Sequence, residues 1–309
     1  MNNNRQKVNF KRLISEYYLG TLFFLPFLIL FMLFTIIPIG ISILISFTDY
    51  DMLRAWNFVG VENYKNLFIF DEIFMLALKN TLIIGGITGP VGYLASFIFA
   101  WVINGLKPQK VFVIAFYAPS LAGGLTIIWD YLFSGDRYGL INNILMNIGI
   151  LNEPIQWATN SDYIVPINIL IIIWSSMGTG FLVFLAGLKN NDAQLLEAGQ
   201  IDGIKNGWQE LWYIILPQMK PQLLFGAINS ISASVGIFPT FGGFPSPNYS
   251  AHTLAAHLQD HGFLRFEMGY ASAITVVIFI VSFVLGKVIV KILGESGKKE
   301  RRNYRRGQY

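Results

Sequence analysis

Residues 19–47 read LGTLFFLPFLILFMLFTIIPIGISILISF, without one charged side chain. The hydrocarbon core of a bilayer takes about 20 consecutive apolar residues in a helix, so this stretch is long enough to cross it. Pro26 and Pro38 lie inside it and predict a tilted or kinked span rather than a straight one. Arg5, Lys7, Lys11 and Arg12 precede it, as in the basic leader of a secretion signal. The apolar run is too long for a signal, however, and no small-residue cleavage site closes it. It is read as a retained span.

Five further stretches qualify outward from there, at 81–104, 111–134, 163–187, 222–240 and 269–293. Composition agrees: 54% of the 309 residues are hydrophobic and 13% charged, with a mean hydropathy of +0.52. A soluble chain carries about 25% charged residues. The 26 Phe, 14 Tyr and 7 Trp exclude disorder. Lack of cysteine excludes a disulfide framework, a thiolate metal site and a cysteine nucleophile. The second stretch holds Gly85, Gly86, Gly89, Pro90 and Gly92, small residues that let helix backbones approach closely in lipid. The fifth is the least apolar, with Asn229, Ser230, Ser232 and Ser234 inside it.

The expected fold is all-α, a polytopic membrane protein with six transmembrane helices. With the N-terminus inside, 17 of the 22 Lys and Arg residues fall on the inner side, so both termini are expected to be cytoplasmic. The chain then divides into a basic N-terminal segment, 1–18, a membrane domain, 19–293, and a basic tail, 294–309. Lys298, Lys299, Arg301, Arg302, Arg305 and Arg306 make the tail a topology signal that also suits anionic lipid. No stacking aromatics or folded nucleic-acid module accompany it, so no nucleic-acid partner is expected.

Motifs of enzyme chemistry are missing. There is no G-x-x-x-x-G-K-[ST] phosphate loop, no H-E-x-x-H and no G-x-S-x-G. No catalytic residue and no cofactor is assigned. A polytopic membrane enzyme is the reading from a different class, and Asp49, Asp51, Glu62, Asp71 and Glu72 do gather in the first outer loop. They are scattered among apolar residues without metal spacing. Asp130 is the one acidic residue within a span, and it sits beside Trp129 near the outer end, where an interfacial pair explains it. His252, His257 and His261 share the outer loop 241–268, and a helix there puts His257 and His261 one turn apart, a metal-ligand spacing. With no cysteine and Asp260 as the only close carboxylate, no metal is assigned; the histidines are read as polar residues near a partner.

The longest inner connection, within 188–221, contains LLEAGQIDGIKNGWQELWYIILP at 195–217. It reads as a short helix to Asp202, a break at Gly203 where a left-handed cap is needed, and a second helix stopped near Pro217. Trp208, Leu211, Trp212 and Ile215 fall at helical spacing, an apolar stripe suited to the membrane face or to a docked protein.

At these residues the chain resembles the membrane permeases of binding-protein-dependent ABC importers. Their "EAA" loop reads Glu-Ala-Ala, three residues, Gly, about nine residues, then Ile-x-Leu-Pro. Glu197-Ala198, Asp202-Gly203 and Ile214-Ile215-Leu216-Pro217 match, whereas Gly199 replaces the second Ala and one extra residue follows Gly203. Phe47-Thr48-Asp49-Tyr50, Phe58-Val59-Gly60-Val61-Glu62-Asn63-Tyr64, Tyr138-Gly139-Leu140-Ile141-Asn142 and Met268-Gly269-Tyr270-Ala271-Ser272-Ala273 are similar to outer-loop strings of the maltose and glycerol-phosphate permease group.

The resemblance implies a type I importer permease fold in a bacterial-type plasma membrane. It implies a transport subunit rather than an enzyme, with the missing phosphate loop carried by a partner ABC ATPase dimer. That dimer would dock on Glu197, Ala198, Gly199, Asp202, Gly203, Trp208, Leu216 and Pro217. A second permease subunit, of a different chain, and an extracytoplasmic solute-binding protein complete the implied set. The solute implied is a sugar, with another solute class as the alternative. A sugar leaves many water hydrogen bonds behind, so its path must be polar somewhere. Asn229, Ser230 and Ser234 of the fifth stretch, with Trp174, Ser176 and Thr179 of the fourth, are the residues on offer.

Overall fold

The computed structural model describes residues 22–106, 108–121, 126–239, 241–242 and 246–306. The N-terminal segment 1–18, the first three residues of the first predicted span, and residues 122–125 of the third therefore lie outside the described residues.

Leu22–Ile45 forms helix α1, exposed along almost its whole apolar length. Its regular bonding gives way to a π-helical turn at Met32–Ile36, just before Pro38. Proline brings no N–H to the carbonyl one turn earlier, and a wider turn accommodates that loss. Helix α2, Glu72–Asn104, begins nine residues before the predicted span because Asp71 caps it, its carboxylate accepting from the Phe74 amide at 2.8 Å. After it come α3, Gln109–Leu121, α4, Thr126–Leu132, and α5, Leu140–Asn147. Helix α6, Ser161–Lys189, is capped by Asn160, which accepts from the Asp162 amide at 2.8 Å.

Two short helices make the inner connection, α7 at Ala193–Ile201 and α8 at Gly207–Glu210. The second runs on through a π-helical turn, Leu211–Ile215, and the piece Leu216–Gln218. Helix α9, Lys220–Val235, follows after Met219. An outer loop carrying α10, Leu254–Gln259, leads to α11, Met268–Arg306, whose helix continues past the last apolar residues into the basic tail.

Among the described residues four helices are long and apolar enough to cross a bilayer: Leu22–Ile45, Glu72–Asn104, Ser161–Lys189 and Met268–Ile292. The described parts of the third predicted span belong to α3 and α4. The fifth is α9, whose 16 residues extend about 24 Å at 1.5 Å per residue. Among the described residues no strand forms; Thr48 and Phe58 make a single isolated antiparallel bridge.

Helix packing in lipid gains nothing from apolar transfer and depends on close contact, and α2 supplies it. Its glycines face two neighbours. A methyl group built on Gly85 would lie 2.8 Å from the Ser234 carbonyl oxygen of α9, and one on Gly92 would lie 2.5 Å from Ser176 Oγ of α6. At the C-terminal end of α2, the end expected from the sequence to be inner, Phe97 of α2, Phe181 and Phe184 of α6, and Leu211, Ile215 and Met219 form one buried cluster. At its N-terminal end, expected to be outer, Phe74 and Ala77 of α2 pack with Leu67, Leu254 and Ile274.

Three of the outer-loop strings meet in space. Asn63 Nδ2 donates to the carbonyls of Ser46 at 2.9 Å and Thr48 at 2.8 Å. Tyr64 Oη and Ser46 Oγ are 2.7 Å apart, and the Gly269 amide donates to Tyr50 at 2.8 Å. Gly269 packs so closely on the Thr48 carbonyl that any side chain there would collide with backbone.

Candidate functional site

A cleft of about 140 Å³ opens between α2, α6 and α9. Its walls carry Ser176 of α6 and Asn229, Ser230 and Ser234 of α9, four residues picked out in the sequence as polar positions within spans. Their chemistry differs. Ser176 Oγ donates to Ile173 at 2.9 Å and Ser234 Oγ to Ile231 at 2.8 Å, each back-bonded to its own helix. Ser230 Oγ instead donates across to Gly89 of α2 at 2.9 Å and ties the two walls together. Asn229 is exposed to the cleft, and among the described residues its amide has no hydrogen-bond partner.

Trp174, also offered for the path, is 46% exposed and is not among the residues lining this cleft. The side chain of Thr179 lies outside the described residues.

The cleft also holds polar groups that hydropathy did not bring forward. Thr88 of α2 is buried, and its Oγ1 has no partner among the described residues. Tyr93 Oη donates to the Leu223 carbonyl at 3.2 Å, six residues before Asn229 on α9. Both lie on the α2 face marked by Gly85, Gly89 and Gly92, so helical spacing from those glycines is the signal that would have found them.

The inner connection is built as an elbow. Asp192 caps α7, accepting from the Gln194 amide at 2.9 Å. At its other end Ile204 N–H donates to the Gly199 carbonyl at 3.0 Å and Gly203 N–H to that of Gln200 at 3.3 Å, while Gly203 has a φ of +100°. That pair of bonds around a left-handed residue is a Schellman cap, as the glycine predicted. Asn206 then starts α8 by accepting from the Gln209 amide at 2.9 Å, and Gln209 Oε1 accepts from the Lys205 amide at 2.9 Å.

Gly199, the departure from the Glu-Ala-Ala pattern, has a local cause. A methyl group there would run into the δ-methyl of Ile214 and lie 3.1 Å from that of Ile204. An alanine there would have to displace the tips of those two isoleucines.

The apolar stripe expected along α8 does not hold together. Leu211 and Ile215 are buried in the inner cluster, whereas Trp208 and Trp212 are 62% and 65% exposed. The π-helical turn, with its i→i+5 bonding, breaks the 3.6-residue periodicity that put all four on one face. Trp208 rests beside Trp101 at the inner end of α2, ring centroids 5.1 Å apart. Leu216 packs on the inner cluster, while Glu197, Ala198, Asp202 and Pro217 are exposed. Leu195, Ile201 and Tyr213 are also exposed.

On the outer side the loop 241–268 is bolted to the helices rather than hanging from them; its residues 243–245 lie outside the described residues. Asn168, fully buried in α6, donates to the Phe241 carbonyl at 3.1 Å. Asn80 of α2 donates to the carbonyls of Tyr249 at 3.1 Å and His252 at 2.9 Å. The three histidines are buried. His257 meets the Asp71 carboxylate and His261 that of Glu267, where the sequence offered Asp260. Burial, with His261 alongside, pushes His257 down to about 4. Burial raises the Asp71 carboxyl, but hydrogen bonds from Tyr270 and the Phe74 amide, with His257, outweigh it and hold the group below the usual carboxylate range.

No family model matches the chain. Curated relatives do. The chain is 34% identical to the probable ABC transporter permease protein YesP of Bacillus subtilis (strain 168) over 281 residues, 88% of this chain and 89% of the relative. It is 30% identical to the lactose transport system permease protein LacF of Rhizobium radiobacter over 274 residues, 86% and 90% of the two chains. Among solved structures, a chain of the bacterial alginate ABC transporter in complex with an alginate pentasaccharide-bound periplasmic protein is similar in fold. The TM-score is 0.72 at 22% identity, covering 91% of this chain and 96% of that one.

Proposed function

Because this chain belongs to the sugar permeases of the ABC transporters, we propose that it forms part of the translocation path of a sugar or oligosaccharide importer, and that the cleft between α2, α6 and α9 lies on that path. The chain is a transport subunit, and ATP is hydrolysed on a partner ATPase dimer that docks on the elbow at Glu197, Ala198, Gly199, Asp202, Gly203, Trp208, Leu216 and Pro217.

One observation carries this reading. The elbow is covalently continuous with α9 through Met219, and its Leu211 and Ile215 are buried against α2 and α6. Those are the three helices that line the cleft. A displacement of the elbow by a docked ATPase therefore acts on every wall of the cleft at once. Thr88 and Asn229 supply polar groups without protein partners among the described residues, which a sugar's hydroxyls can engage as they leave water.

The topology proposed is six transmembrane helices with both termini cytoplasmic, α3 with α4 forming the third and α9 the fifth. The domain division is the one expected from the sequence, with coupling loop 188–221 inside and a basic tail at 294–309. The membrane is a bacterial plasma membrane, the second permease is a different chain, and a solute-binding protein delivers sugar to the outer loops. That a relative is named for lactose and a solved neighbour for alginate supports a carbohydrate solute.

The test is uptake into proteoliposomes holding this chain, its partner permease, the ATPase and the cognate binding protein. Asn229→Leu removes one solute hydrogen bond and should lower uptake roughly tenfold, with the ATPase still bound. Unchanged uptake would take Asn229 out of the path.

A further inference from the structure

Along the chain the three histidines have no cysteine and only Asp260 as a close carboxylate. The fold changes that set of neighbours. His257 and His261 turn toward each other with ring centroids 4.5 Å apart, and one ligand atom each from Asp71, His257 and His261 lie within 4.8 Å of one another. Asp71 comes from the cap of α2, far away in the chain.

Hydrogen bonds select which ring nitrogens are available. His261 Nδ1 is 2.6 Å from Glu267 Oε2. An ionised carboxylate only accepts, so Nδ1 carries the proton and Nε2 of a neutral ring is left with its lone pair. Metal-binding histidines are held in this way, with the second ring nitrogen donating to a carboxylate. His257 Nδ1 lies 3.2 Å from His252 Nε2, and its own Nε2 lies 3.0 Å from Asp71 Oδ2. When His257 is protonated on Nε2 it donates to Asp71 and accepts from His252. When it is protonated on Nδ1 it donates to His252 and turns a lone pair toward Asp71. The two rings pass between these states by exchanging tautomers, with no net change in protons.

Tyr270 Oη donates to Asp71 Oδ2 at 2.7 Å and fixes the carboxylate. The positive charge nearby, Arg265, is tied to Asp260 Oδ2 at 2.6 Å. An open cleft of about 520 Å³, lined by Asp71, His257, Asp260, His261, Arg265 and Tyr270 among others, gives an ion a way in.

We propose that Asp71, His257 and His261 form a zinc site, with Glu267, Tyr270 and His252 orienting its ligands. Two imidazoles and a carboxylate are a zinc donor set. The site joins the start of α2, the loop helix α10 and the start of α11, so the ion acts as a staple on the outer loop. It stands independently of the cleft and the elbow.

The full-length chain, purified in detergent through a histidine-free tag, is titrated with zinc against a chromophoric chelator, and its bound zinc is read by X-ray absorption. One zinc per chain with two imidazole ligands is expected. His257→Gln and Asp71→Asn, the latter keeping an acceptor at the helix cap, should each abolish the site. Glu267→Gln touches a half-exposed residue and leaves the fold alone; it should weaken affinity about 10–100-fold. Zinc uptake no greater than that of a combined Asp71→Asn, His257→Gln chain, or affinity unmoved by Glu267→Gln, would overturn the proposal.

Discussion

Gly85 and Gly86 are neighbours in α2, and replacing each with alanine should have opposite consequences. Both substitutions gain about 1 kcal/mol of helix propensity, so that contribution cancels in the comparison. What remains is contact. A methyl group at Gly86 meets nothing within 4 Å, whereas one at Gly85 lies 2.8 Å from the Ser234 carbonyl oxygen and 3.3 Å from its carbon. A backbone carbonyl has no rotamer to change, so α9 must retreat as a body. Overpacking of this kind costs about 1–3 kcal/mol. The retreat also stretches the Ser230 to Gly89 bond of 2.9 Å, whose loss adds about 1 kcal/mol. Gly85→Ala should therefore be less stable than Gly86→Ala by about 2–4 kcal/mol. Denaturant unfolding in micelles, followed by circular dichroism, reads the difference as a lower midpoint. Proteoliposome uptake should fall in Gly85→Ala alone, because Ser234 lines the cleft. Equal midpoints for the two variants would refute the close approach of α2 and α9.

Gly203→Pro forces φ from +100° to about −65° and removes the N–H given to Gln200; solute-stimulated ATPase should fall to the basal rate in the reconstituted transporter while the chain still inserts. Full stimulation in that variant would remove the elbow from coupling. Gly199→Ala should be close to neutral alone, because the clash is with the mobile tip of Ile214; in an Ile214→Val background it should raise stability by about 1 kcal/mol, seen as a higher thermal midpoint. Asn142→Leu strands the Trp157 indole and the Ile155 amide that now donate to Asn142 Oδ1 at 3.0 and 3.1 Å. It should cost about 1–3 kcal/mol and expose residues 134–157 to limited proteolysis; an unchanged digestion pattern would count against Asn142 as the hub of that loop.

The parts legible from sequence are those decided by local physics. Long apolar runs set the helices, Gly203 announced a left-handed cap, and serine and asparagine in an apolar stretch marked the wall of a cleft. Misreadings came where a distant residue decides the outcome. The start of α2 was missed because Glu72 and Lys79 depress hydropathy across a segment that Asp71 caps and that Leu67, Leu254 and Ile274 bury. Trp208 and Trp212 were grouped with Leu211 and Ile215 because a 3.6-residue period was assumed across what is a π-helical turn. The histidines were judged by Asp260, close in the chain, when Asp71 and Glu267 are their carboxylates in space.

The shortness of α9 has a consequence for the surrounding bilayer. Hydrocarbon is about 30 Å thick, and the roughly 24 Å of α9 leaves the cleft with a wall that spans about four-fifths of it. In the proposed six-span topology a helix this short thins the bilayer locally or leaves its flanking residues, Met219 at one end and Gly236 at the other, to complete the crossing.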